Sequence, residues 1–343
     1  GPGRMARFLR RLTGDSSLPW GAAVVWRAWR QFRRDRPALI FVNSPPFTNA
    51  AIGLLLSALL RAPFVLDMKD DWVDSPNFLR KGRLRRETEC WVEALMVRRA
   101  AAVITVTRSS YEASARRYAR LGLAQKIHYI PNGLDLEEYR PLFTRERQAA
   151  GAGFRLVSAA AGYRPDYRDL APFLRALELF LARCPQARAE IEVEFLGETP
   201  DPLYQEWLAR LLPASAVRCP GALNRQDLVE RLWQADLFFL VQPRGNTTAI
   251  AGTLYEYWAT GKAPVLLLAE EGASSALVED QHTGAHFNFE QLEEASRYLE
   301  QIYQAHRAQT PVWIERAGVE AYDRRDLVHR MTAVWRAILG RAV

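Results

Sequence analysis

What most constrains this chain is a rhythm: short apolar runs rich in β-branched residues return along its whole length, separated by longer stretches with helical spacing. Such alternation predicts βαβ units and parallel sheets. In the first half, strands are predicted at 38–43, 63–68, 102–107 and 127–130, with helices at 4–12, 22–32, 48–60, 84–99 and 110–121. In the second half, strands are predicted at 154–160, 191–196, 217–219, 236–241, 264–268 and 285–289. Helices there fall at 169–183, 204–212, 225–234, 253–260 and 274–279.

This pattern describes an α/β chain of two Rossmann-like domains, 4–147 and 148–343, joined around 142–153, where polar residues, Gly151 and Gly153 mark a hinge. A last helix crossing back to the first domain is expected. Ligands of open parallel sheets bind beyond the carboxyl ends of the strands, so two sheets facing one another predict an interdomain cleft. The first domain opens with helical sequence in place of a strand and glycine-rich turn. Its sheet is therefore abbreviated, either because the start of the chain is shortened or because the sheet itself is reduced.

With 343 residues and 49% hydrophobic content the chain can fill two cores, and disorder is excluded. Cys90, Cys184 and Cys219 stand far apart with no CxxC spacing, which favours neither a disulfide framework nor a zinc site and suits a reducing, cytoplasmic compartment. The longest apolar run, ending at Leu60, is cut by Arg61 and Pro63, short of the ~18–20 residues that span a bilayer. The opening GPGRMARFLRRL lacks the apolar stretch of a signal peptide, and Gly1–Gly3 read as a protease scar.

Charge is divided unevenly. Up to Arg145 there are 25 Lys and Arg against 13 Asp and Glu; beyond it there are 21 against 26. A cationic first lobe suggests an anionic partner, such as a membrane surface or a lipid pyrophosphate. Trp26-Arg27-Ala28-Trp29-Arg30 and the run to Arg36 suit a helix lying in a membrane interface, and a solvated arginine-rich surface is the alternative. No nucleic-acid-binding module accompanies the charge.

Four segments carry a resemblance to the retaining glycosyltransferases of family four with the GT-B fold, which build bacterial surface polysaccharides and other glycans. FVNSPPFTNAA, starting at Phe41, is similar to the family's strand, Ser-Pro-Pro and helix, and VLDMKDDW, starting at Val65, to its DxRDxW run. VITVT followed by YIPNGLD resembles the passage closing its first domain. GTLYEYWATGKAPVLLL, starting at Gly252, resembles its donor segment. The resemblance runs from about residue 38 almost to the C-terminus. It implies sugar transfer from a nucleotide-diphosphate donor to a glycan or lipid-linked acceptor, with retention, and the basic first lobe favours a polyprenyl-pyrophosphate-linked glycan at the inner membrane face.

The resemblance also implies roles residue by residue. Glu256, one turn into a helix opening at Gly252, matches the glutamate that accepts both ribose hydroxyls, while the helix N-terminus faces the diphosphate. The family's lysine is Thr253 here and its earlier glutamate is Thr248, so the backbone N–H groups of Gly252, Thr253 and Leu254 are expected to cradle phosphate oxygens. Gly162 lets the backbone approach phosphate, Arg168 matches the phosphate arginine, and Arg164 is a second cation. Leu223 lies where the base is seated. Asp70, Asp71 and Trp72 leave the carboxyl end of a strand and are expected to orient acceptor hydroxyls or take a proton, Ser44 to touch the acceptor or cap its helix. His128, His282 and His286 offer no metal spacing. The expected ligands are therefore a nucleotide sugar and its acceptor, with no cofactor and no metal. A non-catalytic, partner-dependent scaffold is the alternative suggested by Thr248 and Thr253, and a sugar-nucleotide epimerase is a further one.

Overall fold

The computed structural model describes residues 18–73, 82–146 and 153–340. The helix expected at 4–12, and residues 147–152 of the expected hinge, lie outside these. By their contacts the residues form two compact units. One runs to Asn132 and takes in Asp326–Val343; the other is Gly133–Arg325. The segment 133–146, assigned from sequence to the first domain, thus packs with the second unit: Leu134, Leu136, Tyr139 and Leu142 belong to its core.

In the first unit, α1 (Leu18–Phe32) precedes β1 (Ile40–Ser44), α2 (Thr48–Leu60), β2 (Phe64–Met68), α3 (Arg83–Arg99), β3 (Ala102–Thr105), α4 (Arg108–Ala119) and β4 (Ile127–Tyr129). The four strands are parallel and lie in sequence order, Ile40 opposite Phe64, Val65 opposite Ala102 and Val103 opposite Ile127. Alternate strand side chains face opposite ways. Phe64, Leu66 and Met68 meet Met96, Val97 and Tyr118 on one face. Val65 and Ile104 meet the C-terminal helix, α11 (Arg324–Leu339), through Leu327, Met331 and Trp335 on the other.

The second unit contains β5 (Phe154–Ser158), α5 (Ala171–Arg183), β6 (Ile191–Leu196), α6 (Pro202–Leu211), β7 (Val217–Gly221), α7 (Arg225–Trp233) and β8 (Leu237–Val241). It continues with α8 (Gly252–Thr260), β9 (Val265–Leu268), α9 (Ala273–Asp280), β10 (Gly284–Phe287) and α10 (Leu292–Arg307). Its six parallel strands run in the order β10-β9-β8-β5-β6-β7. The central strands read as unbroken apolar runs, as expected of a sheet covered on both faces: Leu237–Val241 and Val265–Leu268 are wholly buried.

Close packing of β10 on β9 depends on a residue without a side chain. A Cβ on Gly284 would lie 2.1 Å from the Val265 carbonyl oxygen, a backbone atom that cannot swing aside. Gly284→Ala is expected to destabilise the second unit by about 2–3 kcal/mol, read from its urea unfolding midpoint.

Candidate functional site

Strand order locates the site in the second unit. From β5 the chain winds outward through β6 and β7, then returns to the other side of β5 for β8, β9 and β10. Its direction reverses between β5 and β8, and the loops leaving the carboxyl ends of these two strands diverge there to frame a crevice. The loop after β5 carries Gly162, Arg164 and Arg168; that after β8 leads into α8 at Gly252.

Arg168 is 9% exposed, yet among the described residues it meets no carboxylate. Its Nη1 donates to the Ala161 carbonyl at 3.0 Å, its guanidinium lies over the rings of Tyr163 and Tyr167 at 5.8 Å each, and its Nε has no partner. A buried cation without a counter-charge is costly, and an anion supplied from outside removes that cost. Tyr163 is held by its hydroxyl against Ser158 Oγ at 2.8 Å. Gly162 has φ +80°, and a Cβ there would strike the Tyr167 ring at 2.9 Å, so this glycine admits the ring that supports Arg168. Its N–H is already taken, donating to the Glu198 carboxylate at 2.7 Å. Arg164 is exposed and paired with Asp166 at 3.0 Å, away from the role of a buried cation.

The second loop presents a helix end. Gly252 is exposed, and nothing lies within 4 Å of where its Cβ would be. The Leu254 N–H donates back to the Ala251 carbonyl at 3.0 Å, whereas the N–H groups of Gly252 and Thr253 have no hydrogen-bond partner among the described residues. Thr253 Oγ1 is likewise buried without a partner. Two amides and a hydroxyl at the positive end of a helix form an anion-accepting group. The two loops are tied together: the Ala159 N–H donates to Tyr257 Oη of α8 at 2.8 Å, and the Tyr257 ring stacks on Phe238 of β8 at 4.2 Å.

Glu256 is not a lone carboxylate. Its Oε1 accepts from Arg225 Nη1 at 2.9 Å, and Arg225 also donates to Glu138 Oε2 from Nε at 2.9 Å and to Tyr139 Oη from Nη2 at 3.3 Å. Burial works against the charge on Arg225, but Glu138 and Glu256 outweigh it and raise the pKa above its ordinary value. Burial, and then the Glu256 charge, push Tyr139 up, keeping it a neutral donor or acceptor. Arg225 opens α7 two residues after Leu223, which is half-buried against the main core, so this ion pair fixes the β7–α7 turn beside α8.

In the first unit, Asp70, Asp71 and Trp72 do follow the carboxyl end of β2, and much of the segment is clamped. Asp71 Oδ2 accepts from Ser110 Oγ at 2.7 Å; Trp72 Nε1 donates to Glu89 at 3.0 Å and its ring stacks on Phe47 at 4.6 Å. The buried Glu93 takes the Val73 N–H at 3.2 Å. Asp70 stands at the surface, and its protein surroundings raise its pKa by desolvation. Ser44, at the end of β1, is 1% exposed with an unpartnered Oγ. Among the described residues no three His, Cys, Asp or Glu side chains gather as a metal site, and no helix is long and apolar enough to cross a membrane.

Residues 2–133 match the model of a glycosyl transferase 4-like domain. HepE of Anabaena, solved with UDP, shares 18% identity at a TM-score of 0.67, covering 93% of this chain and 82% of that one. The fold is that of the GT-B glycosyltransferases. A trehalose 6-phosphate synthase of Burkholderia multivorans is 15% identical at a TM-score of 0.68, over 95% of this chain and 75% of its own. Sucrose-phosphate synthase of Thermosynechococcus elongatus is 14% identical at 0.63, over 92% and 77%. Comparison with curated proteins gave no match.

Within this GT-B chain, sequence reasoning missed the residues that hold others in place. Tyr163-Arg164 and Tyr167-Arg168 repeat one dipeptide four positions apart, a visible signal for rings stacked on a guanidinium. Arg225, Glu138 and Glu198 had none, because their partners lie 31 to 87 residues away along the chain or on another strand.

Proposed function

We propose that this chain transfers a sugar, with retention, from a nucleoside-diphosphate donor to a glycan or lipid-linked acceptor at a membrane face, as a step in polysaccharide assembly and without a bound metal. The observation that carries this reading is Arg168, a buried guanidinium with no carboxylate partner among the described residues, at the reversal point of a doubly wound sheet. HepE, similar in fold, is solved with UDP and with UDP-glucose, which supports a nucleotide sugar as the ligand.

As the glycosidic bond breaks, negative charge collects on the departing diphosphate. Arg168 and the amides of Gly252 and Thr253, which have no partner among the described residues, neutralise it without rearrangement, which is where a fixed cation lowers a barrier most. Glu256, held by Arg225, accepts from the ribose. Leu223 contacts the base, and Arg164 is an outer cation that leaves Asp166 when the donor arrives. Among the acceptor-side residues, Asp70 takes the proton of the incoming hydroxyl: its raised pKa suits it to that, while Asp71 is occupied by Ser110. Trp72 and Ser44 shape this side.

Calorimetric titration with UDP, GDP and their sugar esters tests the proposal. Saturable binding is expected, and Glu256→Gln weakens it about ten- to hundredfold by removing the charge from a ribose hydrogen bond. A second reading, a non-catalytic scaffold, draws on the Arg225–Glu256 ion pair and on Thr248 and Thr253. Heat signals absent for every nucleotide would favour it.

A further inference from the structure

The first unit carries an apolar surface that the sugar-transfer reading does not use. Helix α2, TNAAIGLLLSALL, is apolar all round, a composition that normally signals complete burial. Ile52, Leu56 and Leu60 are indeed buried, packed with Val25, Ala28 and Trp29 of α1. Leu55 and Leu59, one turn apart, are 53% and 50% exposed, and across from them Trp26 of α1 is 58% exposed. Between the two helices runs an open groove of about 580 Å³ with almost wholly apolar walls, lined by Val25, Trp26, Trp29, Ile52, Leu55 and Leu59. Contiguous apolar surface of this kind marks an interaction site.

The charge around it identifies the occupant. From Leu18 to Arg61 there are six arginines and one carboxylate, Asp35. Arg30 lies over the Trp26 ring at 5.5 Å and Arg33 over Trp29 at 5.4 Å, so cation and ring are held as pairs along the rim. Rings with an apolar body and guanidiniums at their margin match the boundary between acyl chains and anionic headgroups. Over the described residues neither helix is long enough to span a bilayer: α1 has 15 residues there and α2 has 13, about 20 Å of rise for the latter.

We propose that the α1–α2 face docks on a bilayer containing anionic lipids, with a lipid acyl chain seated in the groove between Trp26, Trp29, Leu55 and Leu59 and the arginines on the headgroups. This deepens the expected membrane contact from a diffuse basic lobe to a defined apolar site. It is measured without donor or acceptor, so it stands or falls separately from sugar transfer.

The test is co-sedimentation of the full chain with vesicles of equal parts phosphatidylglycerol and phosphatidylcholine. Binding is expected, and the paired change Leu55→Gln with Leu59→Gln should weaken it about tenfold or more, while thermal unfolding stays close to wild type because both side chains are exposed. Arg27→Gln with Arg30→Gln should weaken binding to these vesicles and leave the weak binding to pure phosphatidylcholine unchanged. Lipids brominated along the acyl chain should quench tryptophan emission in the wild type, and less in Trp26→Phe with Trp29→Phe. Three results would overturn the proposal: no wild-type sedimentation, glutamine variants that sediment as the wild type does, or vesicle-independent dimers that these variants dissolve, which would make the face an interface between copies of the chain.

Discussion

Replacing Arg168 by alanine should lower kcat/KM for sugar transfer about 10²–10³-fold, equivalent to ~2.7–4 kcal/mol of lost transition-state stabilisation. The folded protein should hardly notice. An arginine that organises structure is normally anchored by carboxylates, and its removal strands them. Among the described residues Arg168 has one hydrogen bond, to Ala161, and two ring contacts, and against these stands the desolvation of a cation that no described carboxylate compensates. The two nearly offset, so the change in unfolding free energy should stay within about 1 kcal/mol. Lysine should not restore the rate: its ammonium lacks the planar fork that lies over Tyr163 and Tyr167 while still pointing donors elsewhere. Initial rates with the donor identified by titration, set beside urea unfolding of the same variants, check both halves. A loss of stability with normal turnover would place the phosphate elsewhere.

Such a division between rate and stability could be anticipated only in part from sequence. The ten strands of the described residues are legible, most of them as short apolar runs with a break on either side, and their ends differ where a side chain captures the backbone. Apolar patterning extends the third strand to Thr107, but its hydroxyl accepts the Ser110 N–H and so caps α4. Asp236 falls outside β8 because its carboxylate takes the Arg155 N–H, and Asp169 falls outside α5 because it accepts from Ala171 N–H and Tyr204 Oη. No helix is expected from sequence at α10 and the last helix, α11, is expected without bounds, although Ala295, Leu299, Ile302, Tyr303 and His306 have the spacing of a buried stripe.

The site shows the same limit. Arg168, Gly252 and Glu256 were accessible from the family's motifs, since these are local in sequence. What occupies their atoms was not. That Glu198 holds the Gly162 amide, and that Arg225 holds Glu256, are consequences of strand order, which brings residues far apart in the chain to the same ends of the sheet. The acceptor-side motif is similar: Asp70, Asp71 and Trp72 were legible as a run, but the clamp of Glu89, Glu93 and Ser110 that fixes their directions was not.

That clamp leads to the largest expected effect on stability. Glu93 on α3 is 2% exposed, and its carboxylate accepts from Tyr118 Oη at 2.5 Å, Arg117 Nη1 at 3.2 Å and the Val73 N–H at 3.2 Å. Burial, followed by the Glu93 charge, drives the Tyr118 pKa upward, so the phenol remains a donor at any ordinary pH. Glu93→Ala removes the acceptor and leaves a buried hydroxyl, an amide and part of a guanidinium without it, at a cost of about 3–5 kcal/mol to the first unit. Glu93→Gln keeps an oxygen for Tyr118 or Val73 and should cost less. The decisive measurement is a double-mutant cycle in urea. Tyr118→Phe added to Glu93→Ala should cost much less than it does alone, because the hydroxyl it deletes has already lost its partner. Strictly additive losses would mean that Glu93 and Tyr118 act separately, and the cost of Glu93→Ala would then come from its bonds to Arg117 and the Val73 N–H.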